Sequence, residues 1–199
     1  AEKIGNKRGE CEILENIGGT YLKQGKYREA LEYYRRSLVI AREIENRHHE
    51  GSNLRHLGNI YNLTSEYDLA VEYLNQSIEI ATEIGDKSGL SNAYTFLGIV
   101  YDNFGDTKRS IFYYTEALQV ARSIGNIRSV AYATNYLGCA YSVLGEYNLA
   151  IEYYEEALKI AREIGDKDNE GILLGNLGDV YVLLEQWTDA EQFLLQGID

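Results

Sequence analysis

The chain has 199 residues, 45% of them hydrophobic and none of them proline, so it can bury a core and lacks the composition of a disordered linker. Its formal net charge of -12 disfavours nucleic acid as a partner, because the phosphates would be repelled. No apolar stretch reaches the length of about 18 residues that a membrane helix needs, and we expect a cytoplasmic protein without a membrane partner.

One pattern recurs along the chain with a spacing of 40 residues. A glycine column and a tyrosine column mark five copies: Gly18 and Tyr21, Gly58 and Tyr61, Gly98 and Tyr101, Gly138 and Tyr141, Gly178 and Tyr181. Such self-similarity is typical of a solenoid, in which each unit buries its apolar face against its neighbours. We therefore expect function on an extended surface rather than in a catalytic pocket.

Each copy predicts two antiparallel helices, because its apolar positions keep helical spacing on either side of a short break. The breaks fall at Gly25, Ser65, Gly105, Gly145 and Glu185. The second helices are predicted to end at Ile44, Ile84, Ile124 and Ile164, and three of these are followed by a C-capping glycine, at Gly85, Gly125 and Gly165. The residues that come next are good N-caps for the following helix: Asn46, Asp86, Asn126 and Asp166.

The copies define a single array over residues 1–199, with repeats at about 7–45, 46–85, 86–125, 126–165 and 166–199. The segment Ile4-Gly5-Asn6-Lys7 repeats the helix-ending signal of later copies, which predicts that the chain begins inside a preceding repeat. The last helix stops at Asp199, short of its equivalents. We expect a segment of a longer protein whose open ends could associate end to end.

The sequence predicts no catalytic, metal or cofactor site. Most tyrosines fall in repeating columns and are expected to pack between helices. Cys11 shares a column with Gly51, Ser91 and Ala131 and is expected to be a small core residue. His49 and His56 are about 10 Å apart along a helix, too far to hold one metal ion.

The repeat resembles the tetratricopeptide repeat, whose first helix carries Leu-Gly with a Tyr three residues on, and whose second helix carries spaced Ala, aromatic and Ala. In copy four these residues are Leu137, Gly138, Tyr141, Ala150, Tyr154 and Ala157. Two features depart from the common pattern: the usual Trp column holds other residues, and the period is six residues longer than the common 34. The longer period resembles that of an extended subclass of the family. The resemblance implies an all-α fold, a right-handed α-solenoid superhelix of about five antiparallel helix pairs.

The resemblance also implies a concave groove lined by first-helix residues at fixed distances from the glycine column. Carried onto this sequence, these are Arg55, His56, Asn59 and Asn62 in copy two, Asn92, Thr95, Phe96, Asp102 and Asn103 in copy three, Tyr132, Asn135, Tyr136, Cys139 and Ser142 in copy four, and Asn176 and Asp179 in copy five. Asn side chains suit hydrogen bonding to a peptide backbone. Phe96, Tyr132 and Tyr136 could form an apolar anchor site, with ordinary packing as the alternative.

The favoured function is a non-catalytic scaffold that binds a protein or peptide segment in this groove. The alternative is a regulatory sensor arm of a larger signalling protein or NTPase, which makes contacts within its own polypeptide. Residues 146–199 hold 3 Lys plus Arg against 13 Asp plus Glu, a net of -10 out of the total of -12. We therefore expect a partner with basic residues toward the C-terminal end.

Overall fold

Ten α-helices make up the part of the chain that the computed structural model describes, residues 2–197. In chain order they are α1 (Glu2–Lys23), α2 (Tyr27–Glu43), α3 (Arg47–Leu63), α4 (Tyr67–Ile84), α5 (Lys87–Phe104), α6 (Thr107–Ser123), α7 (Ile127–Val143), α8 (Tyr147–Ile164), α9 (Lys167–Leu183) and α10 (Trp187–Gln196). No helix in this range combines the length and the apolar character that crossing a membrane requires.

The helices fall into two compact units, Ala1–Phe104 with α1 to α5 and Gly105–Asp199 with α6 to α10. Within each unit every helix packs against the next one along the chain. In the first unit α3 also contacts α1 and α5, and in the second unit α7 also contacts α9. The first helices of neighbouring copies are therefore side by side within a unit. The predicted array of antiparallel helix pairs is confirmed.

The helices begin and end where their capping residues predict. Asn46, Asp86, Asn126 and Asp166 each accept a hydrogen bond from the backbone N–H three residues later, as expected of N-caps. Gly85, Gly125 and Gly165 have φ between 65° and 71°, the left-handed conformation that closes a helix. Glu45, in the equivalent position of the first copy, adopts the same conformation with φ 54°. One cap was not predicted, since Asp106 caps α6 by accepting from Arg109 N–H at 3.0 Å.

The predicted helix end at Gly5-Asn6 is wrong. Helix α1 is continuous from Glu2 to Lys23 and passes through both residues. A glycine can also adopt helical backbone angles, at a cost of about 1 kcal/mol relative to alanine, so the Gly-Asn signal does not by itself end a helix. The outer ends of the array that the sequence analysis placed at Ala1 and Asp199 lie outside the described residues.

The glycine column allows the two helices of a copy to approach closely. A Cβ added at Gly138 would lie 2.6 Å from ring carbons of Tyr154, and one at Gly58 would lie 2.7 Å from Leu74 Cγ. The small residues on the facing side of the second helices, such as Ala30, Ala70 and Ala150, are fully buried. Close packing between the two helices therefore explains why this column holds glycine.

The tyrosine column stacks on an aromatic column of the second helix. Ring centroids are 5.2 to 5.3 Å apart in four copies, in the pairs Tyr21–Tyr33, Tyr61–Tyr73, Tyr141–Tyr153 and Tyr181–Phe193. Stacked aromatic pairs of this kind add stability beyond the area that they bury. The prediction that the repeating tyrosines pack between helices is confirmed for these pairs.

Candidate protein-interaction face

The structure places every predicted recognition residue on a first helix. Helix α3 carries the four residues of copy two, α5 those of copy three, α7 those of copy four and α9 those of copy five. The residues of α3 and α5 belong to the first unit, and those of α7 and α9 belong to the second. We call the side of the first helices that bears these residues the first-helix face of each unit.

Aromatic residues of the preceding second helix support the first-helix face. His56 stacks on Tyr34 of α2 with ring centroids 4.8 Å apart, and Tyr136 stacks in the same way on Tyr114 of α6 at 5.0 Å. His56 and Tyr136 both lie two residues before the glycine of their copy, so the contact repeats in register. Tyr136 is therefore held by packing as well as facing the candidate site.

The environment of His56 keeps its imidazole neutral. Burial, with a smaller effect of the neighbouring Arg55 charge, lowers the pKa of His56 to about 4. Burial also lowers the pKa of Arg55, although the carboxylates of Asp86 and Glu15 oppose that shift. The stacked partner Tyr34 has its pKa raised to about 12, mainly by burial. At neutral pH this part of the face carries the Arg55 charge beside two neutral aromatic rings.

Asparagine side chains pair across neighbouring first helices. Asn103 Nδ2 of α5 donates to Asn62 Oδ1 of α3 at 2.9 Å, and Asn176 Nδ2 of α9 donates to Asn135 Oδ1 of α7 at 3.2 Å. An asparagine amide has two donor hydrogens and two acceptor lone pairs, so one such bond does not exhaust it. These hydrogen bonds orient the amide groups. The sequence did not predict that the asparagines pair with one another.

The exposed aromatic residue of copy four is Tyr132. The residue is 39% exposed, and its hydroxyl accepts a 3.4 Å hydrogen bond from Asn169 Nδ2 of α9. Phe96 is partly buried on α5 of the first unit, whereas both tyrosines belong to the second. The common anchor site of these three aromatic residues stays a prediction.

The remaining predicted residues are for the most part partly buried. Asn59, Asn92, Thr95, Asp102 and Ser142 are neither fully buried nor fully exposed, whereas Asp179 is exposed. Thr95 donates its hydroxyl to Ser91 C=O within α5 at 3.0 Å. This bond ties the Thr95 hydroxyl to its own helix, so we assign it no leading part in recognition.

A pocket of about 390 Å³ opens on the first unit between α1, α2 and α3. It is lined by Glu15, Asn16, Gly19, Thr20, Lys23, Tyr34 and His56. Of these residues the sequence analysis had named only His56 for recognition. The offsets that give the other copies their residues, applied to Gly18, give six residues. Four of them line the pocket, Glu15, Asn16, Gly19 and Lys23, and two do not, Glu12 and Leu22.

The helix pairs, their caps and the first-helix face of each unit define a helical-repeat protein. The tetratricopeptide repeat model matches residues 9–83, 50–123 and 129–199. The chain belongs to the tetratricopeptide repeat family. Repeats of this family are generally non-catalytic interaction modules, and their presence makes the chain a protein-interaction scaffold.

Solved structures with the same fold come from different protein classes. BtubC (BKLC) from P. vanneervenii matches with a TM-score of 0.81 and 20% identity over 98% of this chain and 88% of that one. The STAND protein PH0952 from Pyrococcus horikoshii, which has a tetratricopeptide repeat sensor, matches with a TM-score of 0.84 and 20% identity over 92% of this chain and 28% of that one.

A third similar structure is a Rap protein complexed with competence and sporulation factor. Its TM-score is 0.82 and its identity 17%, over 95% of this chain and 53% of that one. This chain thus spans about half of the Rap protein and about a quarter of the STAND protein. No curated protein sequence matches the chain significantly.

Proposed function

We propose that this chain is a non-catalytic scaffold that binds an extended peptide, or a segment of a partner protein, along its first-helix face. The observation that carries the proposal is the pocket between α1, α2 and α3, which lies on that face and combines Glu15 and Lys23 with the rings of Tyr34 and His56. Charged groups of both signs beside stacked rings suit a peptide with one apolar side chain and neighbouring polar groups.

The paired asparagines support an extended ligand. Asn62 with Asn103, and Asn135 with Asn176, present amides that can both donate to and accept from a peptide backbone. Such contacts hold a segment without reading its sequence. For a segment on the first unit, specificity would come from the pocket; for a segment on the second unit, it would come from Tyr132. The net charge of -10 over residues 146–199 favours a segment with basic residues at that end.

A sensor arm within a larger signalling protein is the second candidate. It is favoured by the likeness to PH0952, a STAND protein in which a tetratricopeptide repeat sensor is one part of a much longer chain. In that case the first-helix face would contact another domain of the same polypeptide until a ligand displaced it. Both candidates use the same face and differ in whether the partner segment is covalently connected.

A displayed library of random peptides, selected on the full 199-residue chain, tests the scaffold function. We expect enriched peptides that lose binding when Lys23→Ala, Asn59→Ala and Tyr132→Ala are combined, with circular dichroism confirming that the variant folds. The matched control combines Glu79→Ala, Gln119→Ala and Glu152→Ala, exposed residues of second helices, and should bind like the wild type.

Two results would count against the proposal. Peptides that bind both triple variants equally would place recognition elsewhere on the chain. A failure to enrich any peptide would favour the sensor arm, in which the partner segment is supplied by the same polypeptide.

A further inference from the structure

A compact cluster of metal-binding side chains joins α1 to α3 in the first unit. Cys11 and Glu15 lie one turn apart on α1, and His49 lies opposite them on α3. Their ligand atoms all lie within 4.8 Å of one another, and Glu15 Oε1 is 3.0 Å from His49 Nδ1. Cys11 is fully buried, while the side chains of Glu15 and His49 are 19% and 12% exposed. The cluster is therefore shielded and still reachable.

The repeats themselves show that the fold does not require these residues. The other copies hold Gly51, Ser91, Ala131 and Gly171 where copy one has Cys11, and Arg55, Thr95, Asn135 and Gly175 where it has Glu15. Where copy two has His49, later copies have Gly89, Ser129 and Asn169. Where it has the buried Asn53, they have Ala93, Ala133 and Leu173. No other copy combines a thiol, a carboxylate and an imidazole at these positions, so the set is specific to this helix junction.

We propose that the thiolate of Cys11, the carboxylate of Glu15 and Nδ1 of His49 bind a divalent transition-metal ion of the zinc type. Sulfur, imidazole nitrogen and carboxylate oxygen are the ligand types that zinc takes in proteins. Tetrahedral bonds of about 2.0 to 2.3 Å place ligand atoms about 3.3 to 3.6 Å apart. Metal binding draws the three ligand atoms closer together than in the structure and releases the thiol proton of Cys11 to solvent.

Two of the proposed ligands, Cys11 and Glu15, already have hydrogen-bond partners outside the cluster. The Cys11 Sγ is 2.9 Å from Ser37 Oγ, and Asn53 Nδ2 donates to Glu15 Oε1 at 2.7 Å. On the far side of the imidazole, Glu12 Oε1 lies 3.8 Å from His49 Nε2. This distance is too long for a hydrogen bond, and a shift of the exposed Glu12 side chain toward His49 on metal binding would let its carboxylate accept from Nε2–H and leave Nδ1 for the metal. Bound metals are commonly supported by such an outer set of hydrogen bonds.

Three protein ligands leave a fourth coordination position for water or for an exogenous group. Asn53, which is fully buried, has an Oδ1 atom without a hydrogen-bond partner close to the cluster. Glu15 also lines the pocket described above, so the ion would lie beside that pocket. The inference does not depend on the proposed function, because the cluster is defined by the α1–α3 contact alone.

Titration of the full 199-residue chain, free of any affinity tag, with Co²⁺ under reducing conditions tests the site. We expect a thiolate-to-cobalt charge-transfer absorption that saturates at one equivalent of Co²⁺ and disappears when Zn²⁺ is added. Cys11→Ala and His49→Asn place residues that other copies hold at these positions, so both variants should fold. The first should abolish the absorption band, and the second should weaken Zn²⁺ affinity at least about 100-fold.

Control variants separate the site from other thiols and histidines. Cys139→Ser and His48→Asn should leave the absorption band and the affinity unchanged, and Glu12→Gln should weaken Zn²⁺ binding by about tenfold through the histidine. No absorption band in the wild type, or a band that survives Cys11→Ala, would overturn the proposal. Loss of affinity in His48→Asn equal to that in His49→Asn would also overturn it, because metal would then bind at the surface.

Discussion

The ring of Tyr154 on α8 lies directly against the backbone of Gly138 on α7, so close that a methyl group at Gly138 would come within 2.6 Å of two ring carbons. The ring belongs to a buried cluster with Ala150, Ala157 and Leu177. Because the ring is held on its other sides, it has little room to move away. The same relationship, with Tyr34 in place of Tyr154, occurs at Gly18 with a closest approach of 3.0 Å.

Gly138→Ala is therefore expected to destabilise the protein by about 1–3 kcal/mol, the usual cost of overpacking a core. The free energy of unfolding, measured by urea denaturation, checks this. Gly175→Ala on α9 is the matched control, because nothing lies within 4 Å of its added Cβ. That substitution should stabilise its helix by about 0.5–1 kcal/mol. Equal stability of Gly138→Ala and the wild type would show that the two helices can separate at no cost.

Glu45→Gly is expected to stabilise the protein by up to about 1 kcal/mol. Glu45 adopts a left-handed φ of 54°, whereas the equivalent positions of three later copies hold glycine in this conformation. Glycine takes up that conformation without the steric penalty of a side chain. The reverse change at a glycine, Gly165→Glu, should lower the melting temperature. A melting temperature of Glu45→Gly below that of the wild type would contradict the expectation.

The stability of the protein should fall as the pH is lowered from about 6.5 to about 4, in part because of His56. The unfolded chain protonates this residue near pH 6.5, but the folded protein protonates it only near pH 4. Between these values the unfolded state binds more protons, so acid favours unfolding. At pH above 6.5 the residue contributes no pH dependence.

His56→Tyr removes this titration and keeps the stacking, since copy four holds Tyr136 against Tyr114 in the same position. Urea denaturation at pH 7 and pH 4.5 should show a smaller loss of stability in the variant, by up to about 3 kcal/mol. An identical loss in the variant and the wild type would mean that other groups account for the acid sensitivity.

The bond between Asn103 and Asn62 should be measurable as a coupling energy. A double-mutant cycle with Asn62→Ala and Asn103→Ala is expected to give about 0.5–1.5 kcal/mol, the range for a neutral hydrogen bond. Asn62→Ala paired with Asn92→Ala, which has no hydrogen bond to Asn62 in the structure, serves as the control. A coupling energy near zero in both cycles would show that the amides do not pair in solution.

The sequence by itself determined the period, the helix pairs and most of their boundaries. These features depend on local signals: the N-caps at Asn46 and Asp166 and the left-handed glycines at Gly85 and Gly165 act within a few residues of the chain. The end predicted at Gly5 was wrong, because α1 continues through this residue and a glycine can also adopt helical backbone angles. The repetition of the glycine and tyrosine columns was also enough to identify the family.

Only the tertiary structure decided which side chains meet. Asn103 and Asn62 are separated by 41 residues, and Asn53 and Glu15 by 38. Such contacts depend on how far neighbouring first helices are shifted and rotated against each other, which no local pattern encodes. For the same reason, sequence reasoning about metal binding could test only histidines that are close together in the chain, such as His49 and His56. Cys11, Glu15 and His49 come together because α1 and α3 pack side by side.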